Sequence, residues 1–293
     1  MRARRRSRFP WFSYLVVIAG GVAMVMPFLD MVMSSFKGAG EYGVLPYQLL
    51  PNSFDLANYR AAFDQLDLLR LFRNSVIVTV AVTVSVLVTS SMAGYALAKL
   101  RFRGRAIIFR FILATMMLPP FLLLIPDFLI MLNWPLVGGN DVLGRGGDGG
   151  LTTSIVSLIL PFAVSGFGIF LMRQFMVSLP DEMLEAARID GANQWQTWRL
   201  IVLPQTRPVA ITLGLITFIG MWNEYIWTLL ISSSNPDLMT LPVGIQLLQS
   251  FLDPDRTMPI VMAGLVISTL PVLAIFLVFQ KYYVRGVVLS GLK

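Results

Sequence analysis

The sequence contains no cysteine and no histidine among its 293 residues. These two absences exclude disulfide bonds, thiolate chemistry, the usual zinc sites and imidazole acid–base catalysis. Charged residues are also scarce, at 13% of the chain, whereas about a quarter of the residues of an ordinary soluble domain are charged. The deficit is concentrated in long uncharged runs. This pattern is typical of a polytopic membrane protein.

Six apolar runs are long enough to cross a bilayer, and hydrophobic residues make up 56% of the chain. A lone strand in lipid would leave its backbone groups unsatisfied, so each run is predicted to be a helix, giving an all-α fold. Pro119, Pro120 and Pro126 predict a kink or break in the third run. The first run could also be a secretory signal, although its length favours an uncleaved span. The predicted spans are residues 12–29, 74–98, 106–132, 151–172, 208–230 and 260–279.

Basic residues are distributed unequally between the segments that separate these spans. If the N-terminus lies in the cytoplasm, 17 of the 23 lysines and arginines fall on the inner side. This bias predicts a multi-pass protein of the cell (inner or plasma) membrane with both termini cytoplasmic, and it explains the net charge of +7 without nucleic acid. The predicted layout is a cytoplasmic N-terminus at 1–11, a transmembrane domain at 12–281 with outer loops at 36–73, 133–150 and 232–259 and an inner loop at 173–207, and a cytoplasmic tail at 282–293.

The inner loop at 173–207 interrupts the apolar chain with a polar segment. An acidic first turn after Pro180 favours the start of a short helix, because carboxylates are stabilised at the positive end of the helix dipole. Gly191 is placed to end that helix, since glycine takes a left-handed conformation at little cost. Trp195 and Trp198 begin a second amphipathic segment that suits a membrane surface.

The same loop resembles the signature cytoplasmic loop of binding-protein-dependent ABC importer permeases. The residues EAARIDGA at 185–192 and IVLP at 201–204 match the family's Glu-Ala-Ala, the glycine four residues on and the later Ile-x-Leu-Pro. Segments such as AGYALAKLRFRGR at 93–105 and WNEYIW at 222–227 are similar to the carbohydrate-uptake branch, specifically its smaller six-span permease of maltose and glycerol-phosphate importers. The resemblance covers nearly the whole chain, and the glycine-rich stretch 135–150 departs from it.

This resemblance implies a type I ABC importer permease whose short inner helix docks into a cleft on a cytoplasmic ATPase. None of the four lysines follows a glycine, so the chain has no P-loop of its own. We therefore expect a transport subunit without catalytic residues, metal site or cofactor, with ATP hydrolysis on a partner. The residues expected to couple to the ATPase are Glu185, Ala186, Ala187, Asp190, Gly191, Leu203 and Pro204.

The fifth predicted span contains the residue types that a sugar site requires. Trp222, Asn223, Glu224 and Trp227 offer ring faces, an amide and a carboxylate at membrane depth. They are candidates for the substrate pathway, although the tryptophans could equally form an interfacial belt. A di- or oligosaccharide is favoured over glycerol phosphate, because no basic residue marks a phosphate site in this span.

Six spans are few for a complete pathway, so we expect a heterodimer with a second, homologous permease. By resemblance, two ATPase subunits and an extracytoplasmic sugar-binding protein complete the transporter in its lipid bilayer. The candidate contacts with the binding protein are Leu252, Asp253, Pro254 and Asp255, which could otherwise be an ordinary polar connection.

Two other classes of function compete with this one. An ion-coupled secondary transporter would require several intramembrane carboxylates and would leave the loop at 185–192 without a purpose. An intramembrane enzyme lacks a histidine, a cysteine, a paired-carboxylate motif and a GxSxG nucleophile.

Overall fold

The computed structural model describes residues 10–43, 45–251 and 254–290. Within these ranges the chain is helical and contains no strand, in agreement with the all-α prediction. The main helices are α1 (Pro10–Ser34), α2 (Ala57–Leu66), α3 (Leu68–Lys99), α4 (Arg105–Thr115), α5 (Pro120–Leu132), α6 (Val156–Phe162), α7 (Gly166–Val177), α8 (Glu182–Ile189), α9 (Gln194–Gln205), α10 (Arg207–Trp222), α11 (Ile226–Ser232), α12 (Leu241–Phe251) and α13 (Pro254–Ser290).

Three of these helices are each long and apolar enough to cross a membrane, namely α1, α3 and α13. In three further cases, two helices that follow each other in the chain are long enough to cross a membrane only when they are taken together. The two helices of each pair are bent relative to each other, α4 and α5 by 101°, α6 and α7 by 44°, and α9 and α10 by 79°. If each bent pair is one span, the described chain has up to six spans, the predicted number.

Proline explains the break in the third predicted span. Pro120 is the first residue of α5, where its missing amide hydrogen removes no helical bond, and the preceding residue Pro119 is extended. Pro126 lies inside α5 without ending it. In the fifth predicted span, 208–230, the helix stops at Trp222 and resumes at Ile226, so Asn223 and Glu224 lie in the gap.

The outer loop predicted at 232–259 is in fact largely helical. It contains α12, on which Leu241, Ile245 and Leu248 are buried at spacings of one and two helical turns. Pro242 favours a loop in the sequence, but as the second residue of α12 it costs no helical hydrogen bond. The bounds of several spans also differ from the prediction. Four helices run past the predicted ends: α1 extends to Ser34, α3 begins before residue 74, α7 continues past residue 172, and α13 runs from before residue 260 to beyond residue 279. The bent pair of α9 and α10, at 194–222, begins within the predicted inner loop rather than at residue 208.

The described residues form two compact units, one made of the chain up to Leu68 with Ile245–Leu270, and the other of Leu69–Gly244 with the chain from Pro271 onward. In the first unit, the Asn58 amide donates to the carbonyls of Ser35 and Lys37 at 2.9 and 2.8 Å. The Lys37 ammonium is buried, 4.7 Å from the centre of the Tyr47 ring. These contacts hold the segment after α1 against α2.

The second unit contains the main hydrophobic core. Side chains from α3, α7, α10 and α11 meet there, including Val82, Val86, Met172, Leu213 and Ile231. Residues of α8 and α9 extend the same core, so the predicted inner loop is packed onto the transmembrane helices of this unit. The glycine-rich stretch at 135–150 is also ordered, because the buried Asn140 amide donates to the carbonyls of Leu132 and Trp134, both at 3.0 Å.

Candidate functional site

The helix α8 presents one face outward and buries the other. Leu184 and Ala187 are buried, three residues apart, while Glu185 and Ala186 are exposed between them. Ile189 is 86% exposed at the end of the helix, although it is a large apolar residue. A short helix with a small alanine and an unburied isoleucine on its outer face is suited to close contact with another protein.

Gly191 ends α8 as the sequence predicts. Its φ of +80° is in the left-handed region, which a residue with a Cβ atom rarely adopts. The Gly191 amide donates to the Arg188 carbonyl at 3.1 Å, and the Ala192 amide donates to the Ala187 carbonyl at 2.9 Å. This pair of bonds is the Schellman arrangement, which turns the chain sharply away from the helix axis.

A capping box begins the next helix immediately afterwards. The Asn193 carboxamide accepts from the Gln196 amide at 2.9 Å, and the Gln196 side chain accepts from the Asn193 amide at 2.8 Å. The middle of α9, Thr197–Val202, is wound as a π-helix. Pro204, two residues after this stretch, has no amide hydrogen to donate to the preceding turn, which favours such a rearrangement of the helical bonds. Leu203 and Pro204 are half-buried, so α9 is packed against the spans.

Lys99 joins the end of α3 to the segment that leads into α8. Its ammonium donates to the Leu179 carbonyl and to the Asp181 carboxylate, both at 2.6 Å. The side chain of Lys99 is 7% exposed, whereas that of Asp181 is 75% exposed. The hydrogen bond and the charge of Lys99 hold the pKa of the Asp181 carboxyl below its usual value, so this carboxyl is ionised at neutral pH.

A second contact ties α3 to the start of α9. The Tyr95 hydroxyl donates to the Gln194 side-chain oxygen at 2.7 Å, and Tyr95 is buried. Tyr95 and Lys99 are four residues apart, so they lie on one face of α3. Neither residue is among those that the sequence marks as functional. Two polar residues four positions apart, at the end of an otherwise apolar helix, were the sequence feature that could have indicated a contact with the inner loop.

A groove of about 560 Å³ opens beside the outer face of α8. Both signs of charge line it, with Lys99, Arg101 and Arg188 facing Asp181 and Glu185. Such a groove can accept a side chain of either charge from a docked protein. It places the exposed Glu185 near Lys99, which bonds to the segment before α8. Asp190 is exposed at the end of α8 and does not line it.

The candidate pathway residues lie where α10 ends and α11 begins. Trp222 is buried between Phe72 and Phe218, with ring centroids at 5.7 and 5.9 Å. Trp227 is buried as well, and its indole donates to the Ser157 carbonyl at 2.9 Å. Both tryptophans therefore form part of the packing within this chain.

The two polar residues of the same group are placed differently. Asn223 is exposed, and its side-chain amide donates to the Ile219 carbonyl at 2.8 Å. The Glu224 carboxylate accepts from the Trp227 amide at 2.7 Å, which caps the start of α11. The break between the helices is thus stabilised by side chains, and it leaves Asn223 accessible.

Comparison with known proteins places the chain in a family. Residues 69–289 match the "Binding-protein-dependent transport system inner membrane component" family, which is most of the chain. The chain belongs to this family. It is a multi-pass ABC transporter permease, and its fold is that of an ABC importer permease.

Its relatives include permeases of several uptake systems. The chain is 31% identical over 286 residues to the "Arabinooligosaccharides transport system permease protein AraQ" of Halalkalibacterium halodurans, covering 96% of this chain and 94% of the relative. It is 31% identical over 274 residues to the "Diacetylchitobiose uptake system permease protein NgcG" of Streptomyces coelicolor, covering 94% and 86%. It is also 31% identical over 283 residues to the "sn-glycerol-3-phosphate transport system permease protein UgpE" of Pectobacterium atrosepticum, covering 94% and 95%.

A solved structure shares the fold of the permease. A chain from the crystal structure of a bacterial ABC transporter involved in the import of the acidic polysaccharide alginate superposes with a TM-score of 0.79 at 25% identity. The match covers 96% of this permease and 100% of that chain.

Two of the four remaining candidate contacts of the permease lie at the start of α13. Leu252 and Asp253 lie outside the described residues, and Pro254 and Asp255 are the first two residues of the helix. Within the described part of the chain, no group of three or more acidic side chains is placed to hold a metal ion.

Proposed function

We propose that this permease forms half of the translocation pathway of an importer for a di- or oligosaccharide. The sugar is delivered by an extracytoplasmic binding protein, a second homologous permease supplies the other half, and ATP is hydrolysed on two separate cytoplasmic subunits. The names of the relatives, several of which are oligosaccharide permeases, support the class of substrate. In this arrangement both termini and the loop at 173–207 face the cytoplasm, as the distribution of basic residues favours.

The observation that carries this proposal is that α8 is exposed on one face and firmly attached to the spans on the other. Its outer face is exposed, its inner face is packed into the core of the second unit, and Lys99 and Tyr95 attach its flanking segments to α3. A helix attached in this way moves with the span that holds it. Closure of the ATPases around the exposed Glu185 and Ala186 would thereby displace α3. Ala187, expected from the sequence to share this contact, is buried on the inner face and would act through the packing of α8, while Asp190, Gly191, Leu203 and Pro204 maintain the turn and the return into the membrane.

In the proposed pathway, Asn223 and Glu224 are the groups that contact sugar hydroxyls. Trp222 and Trp227 support the helix break by packing beneath it, so their rings fix the position of the two polar side chains. The proposed contact with the binding protein on the outer side consists of Pro254 and Asp255 at the start of α13 together with Leu252 and Asp253, which precede them in the sequence.

The coupling role is tested by sugar-stimulated ATPase activity of the complete transporter in lipid. Glu185→Lys reverses a charge on the exposed face of α8, and we expect it to abolish co-purification with the ATPase. Gly191→Ala places a Cβ atom at φ +80°, which costs about 1–2 kcal/mol, so we expect reduced stimulation. Unchanged transport in both variants would contradict the assignment.

Gly40→Ala is the matched control for the glycine variant. Gly40 has φ +85° and no atom within 4 Å of a Cβ built on it, as is also true of Gly191. The backbone strain of the two substitutions is therefore similar, but Gly40 lies in the segment predicted to face outward. We expect Gly40→Ala to retain ATPase docking.

The pathway role is tested separately by sugar uptake in proteoliposomes. We expect Asn223→Ala and Glu224→Ala to change the uptake rate while the ATPase stays bound. Trp222→Ala removes a fully buried ring, so it should instead lower the free energy of unfolding by about 3–5 kcal/mol. If Asn223→Ala left uptake of every oligosaccharide unchanged, the pathway would lie elsewhere.

A further inference from the structure

A long apolar groove follows one face of α10 in the second unit. The residues of α10 that line it recur every three to four positions, and all except Arg207 are apolar. They are Arg207, Ala210, Ile211, Gly214, Leu215 and Phe218. At 1.5 Å per residue these positions extend over about 16 Å, close to half of the hydrocarbon thickness of a bilayer. The opposite walls come from α3 and α13, and the volume is about 300 Å³.

The groove continues past the start of α10 into a second hollow of about 440 Å³. The two hollows share Leu87, Arg207 and Ala210, and the second is also lined by Trp198 and Arg199 of α9. The two hollows therefore form one continuous groove, which is apolar along α10 and has two arginines at its other end.

Both arginines at this end are available to a ligand. Arg199 and Arg207 are exposed, and among the residues that the structure describes neither forms a salt bridge. The indole N–H of Trp198 is buried and has no hydrogen-bond partner within the described chain. Two positive charges beside an unsatisfied donor are complementary to an oxygen-rich anion.

We propose that this groove binds an anionic phospholipid, with its phosphate held by Arg199 and Arg207 and one acyl chain lying along α10. An anionic phospholipid matches both parts of the groove. Its negative headgroup complements the two arginines, and its acyl chain, about one leaflet long, matches the apolar part. A helix of another membrane protein would cover the apolar part but would need its own carboxylate to satisfy the two arginines. Neither α8 nor Asn223 lines the groove, although Leu203 and Pro204 of the proposed coupling segment line its second hollow.

The test is native mass spectrometry of the complete transporter released from bilayers that contain equal amounts of phosphatidylglycerol and phosphatidylcholine. We expect the wild-type complex to retain phosphatidylglycerol selectively. An arginine near a membrane surface contributes about 1 kcal/mol to binding an anionic lipid, so Arg199→Gln with Arg207→Gln should weaken retention roughly 25-fold. Arg103→Gln, which removes an exposed arginine that lines neither hollow, is the control and should retain the lipid.

A second variant tests the apolar length independently of charge. Gly214 has room for a Cβ atom, since its nearest neighbour would be a Leu87 methyl at 3.5 Å, so Gly214→Ala should fold and bind lipid normally. Gly214→Leu should fill the groove and reduce retention of phosphatidylglycerol although both arginines remain.

Three outcomes would overturn the proposal. Equal retention of the two lipids by the wild-type complex would remove the role of the arginines. Retention that neither Gly214→Leu nor the arginine pair changes would place the lipid elsewhere. Loss of the second permease in the arginine variant, with no change in lipid, would show that protein rather than lipid covers the groove.

Discussion

Lys99 shows how one side chain connects a span to the coupling helix. Its ammonium is almost completely buried and has two oxygen partners, one of them on a residue 82 positions away. The sequence marks Lys99 only as one of several basic residues that end a predicted span. Its partner could not be predicted, because the approach of α3 to the segment before α8 depends on tertiary packing rather than on local sequence.

Lys99→Met should weaken coupling more than Asp181→Asn does. Loss of the ammonium leaves the Leu179 carbonyl without its donor, and hydrogen bonds to charged groups contribute about 1.5–3 kcal/mol, so ATPase affinity should fall roughly tenfold or more. Asp181→Asn removes only the exposed half of the ion pair. The measurement is titration of the ATPase subunit onto the permease pair, with Arg103→Gln as a control. Equal affinities for wild type and Lys99→Met would contradict the role of Lys99.

The Lys99–Asp181 pair also has a defined dependence on pH. The folded pKa of Asp181 lies below its ordinary value of 3.8, so the stability that its carboxylate contributes is fully present above that value. Its contribution is lost as the pH falls through the lower, folded pKa. We expect the difference in thermal midpoint between wild type and Asp181→Asn to be constant from pH 5 to 8. A difference that shrinks between pH 8 and 6 would show that another group titrates.

At the scale of elements, the close crossing of α3 and α7 organises the second unit. A Cβ atom on Gly94 of α3 would lie 2.9 Å from the Met172 Cβ and 3.0 Å from the Arg173 amide nitrogen. The Arg173 guanidinium also donates to the Leu97 carbonyl at 3.2 Å. The two backbones approach closely because glycine has no side chain, as is common where membrane helices cross.

Gly94→Val should therefore destabilise the chain. Overpacking against backbone atoms costs about 1–3 kcal/mol, which should lower the thermal midpoint of the detergent-purified chain by several degrees. Gly20→Val is the matched control, because Gly20 lies inside α1 and a Cβ atom added to it would have no neighbour within 4 Å. A midpoint for Gly94→Val equal to that of Gly20→Val would mean that α3 and α7 can separate without cost.

The sequence predicts elements better than it predicts their angles. Apolar runs indicated the spans, Gly191 indicated the end of α8, and Pro119 and Pro120 indicated the break in the third span, because each depends on nearby residues. The bend of 101° between α4 and α5 and the helix α12 depend on what these segments pack against. In the candidate pathway, residue type alone could not separate the buried Trp222 from the accessible Asn223.

At the scale of the whole molecule, the spans differ in how much of them the chain itself covers. In the most apolar 18-residue window of α3, 33% of the residues are buried, compared with 17% for α13 and none for α1. Apolar side chains on all sides of α1 are exposed, including Val17 at 71% and Met24 at 77%. The described residues cover only the end of this helix near Ser34 and bury none of its apolar window, so lipid or another subunit must surround that window.

The proposed heterodimer predicts that one face of α1 is covered by the second permease. Because the chain has no cysteine, single cysteines placed in turn from Val16 to Val25 give one labelling site each. With the second permease co-expressed, protection from a membrane-permeant maleimide should recur every three to four residues, the period of a helix with one contacting face. Expression of this chain alone is the control and should show no periodic protection. Labelling that stays uniform in the assembled transporter would show that α1 contacts lipid on every side and would move the permease–permease interface to other helices.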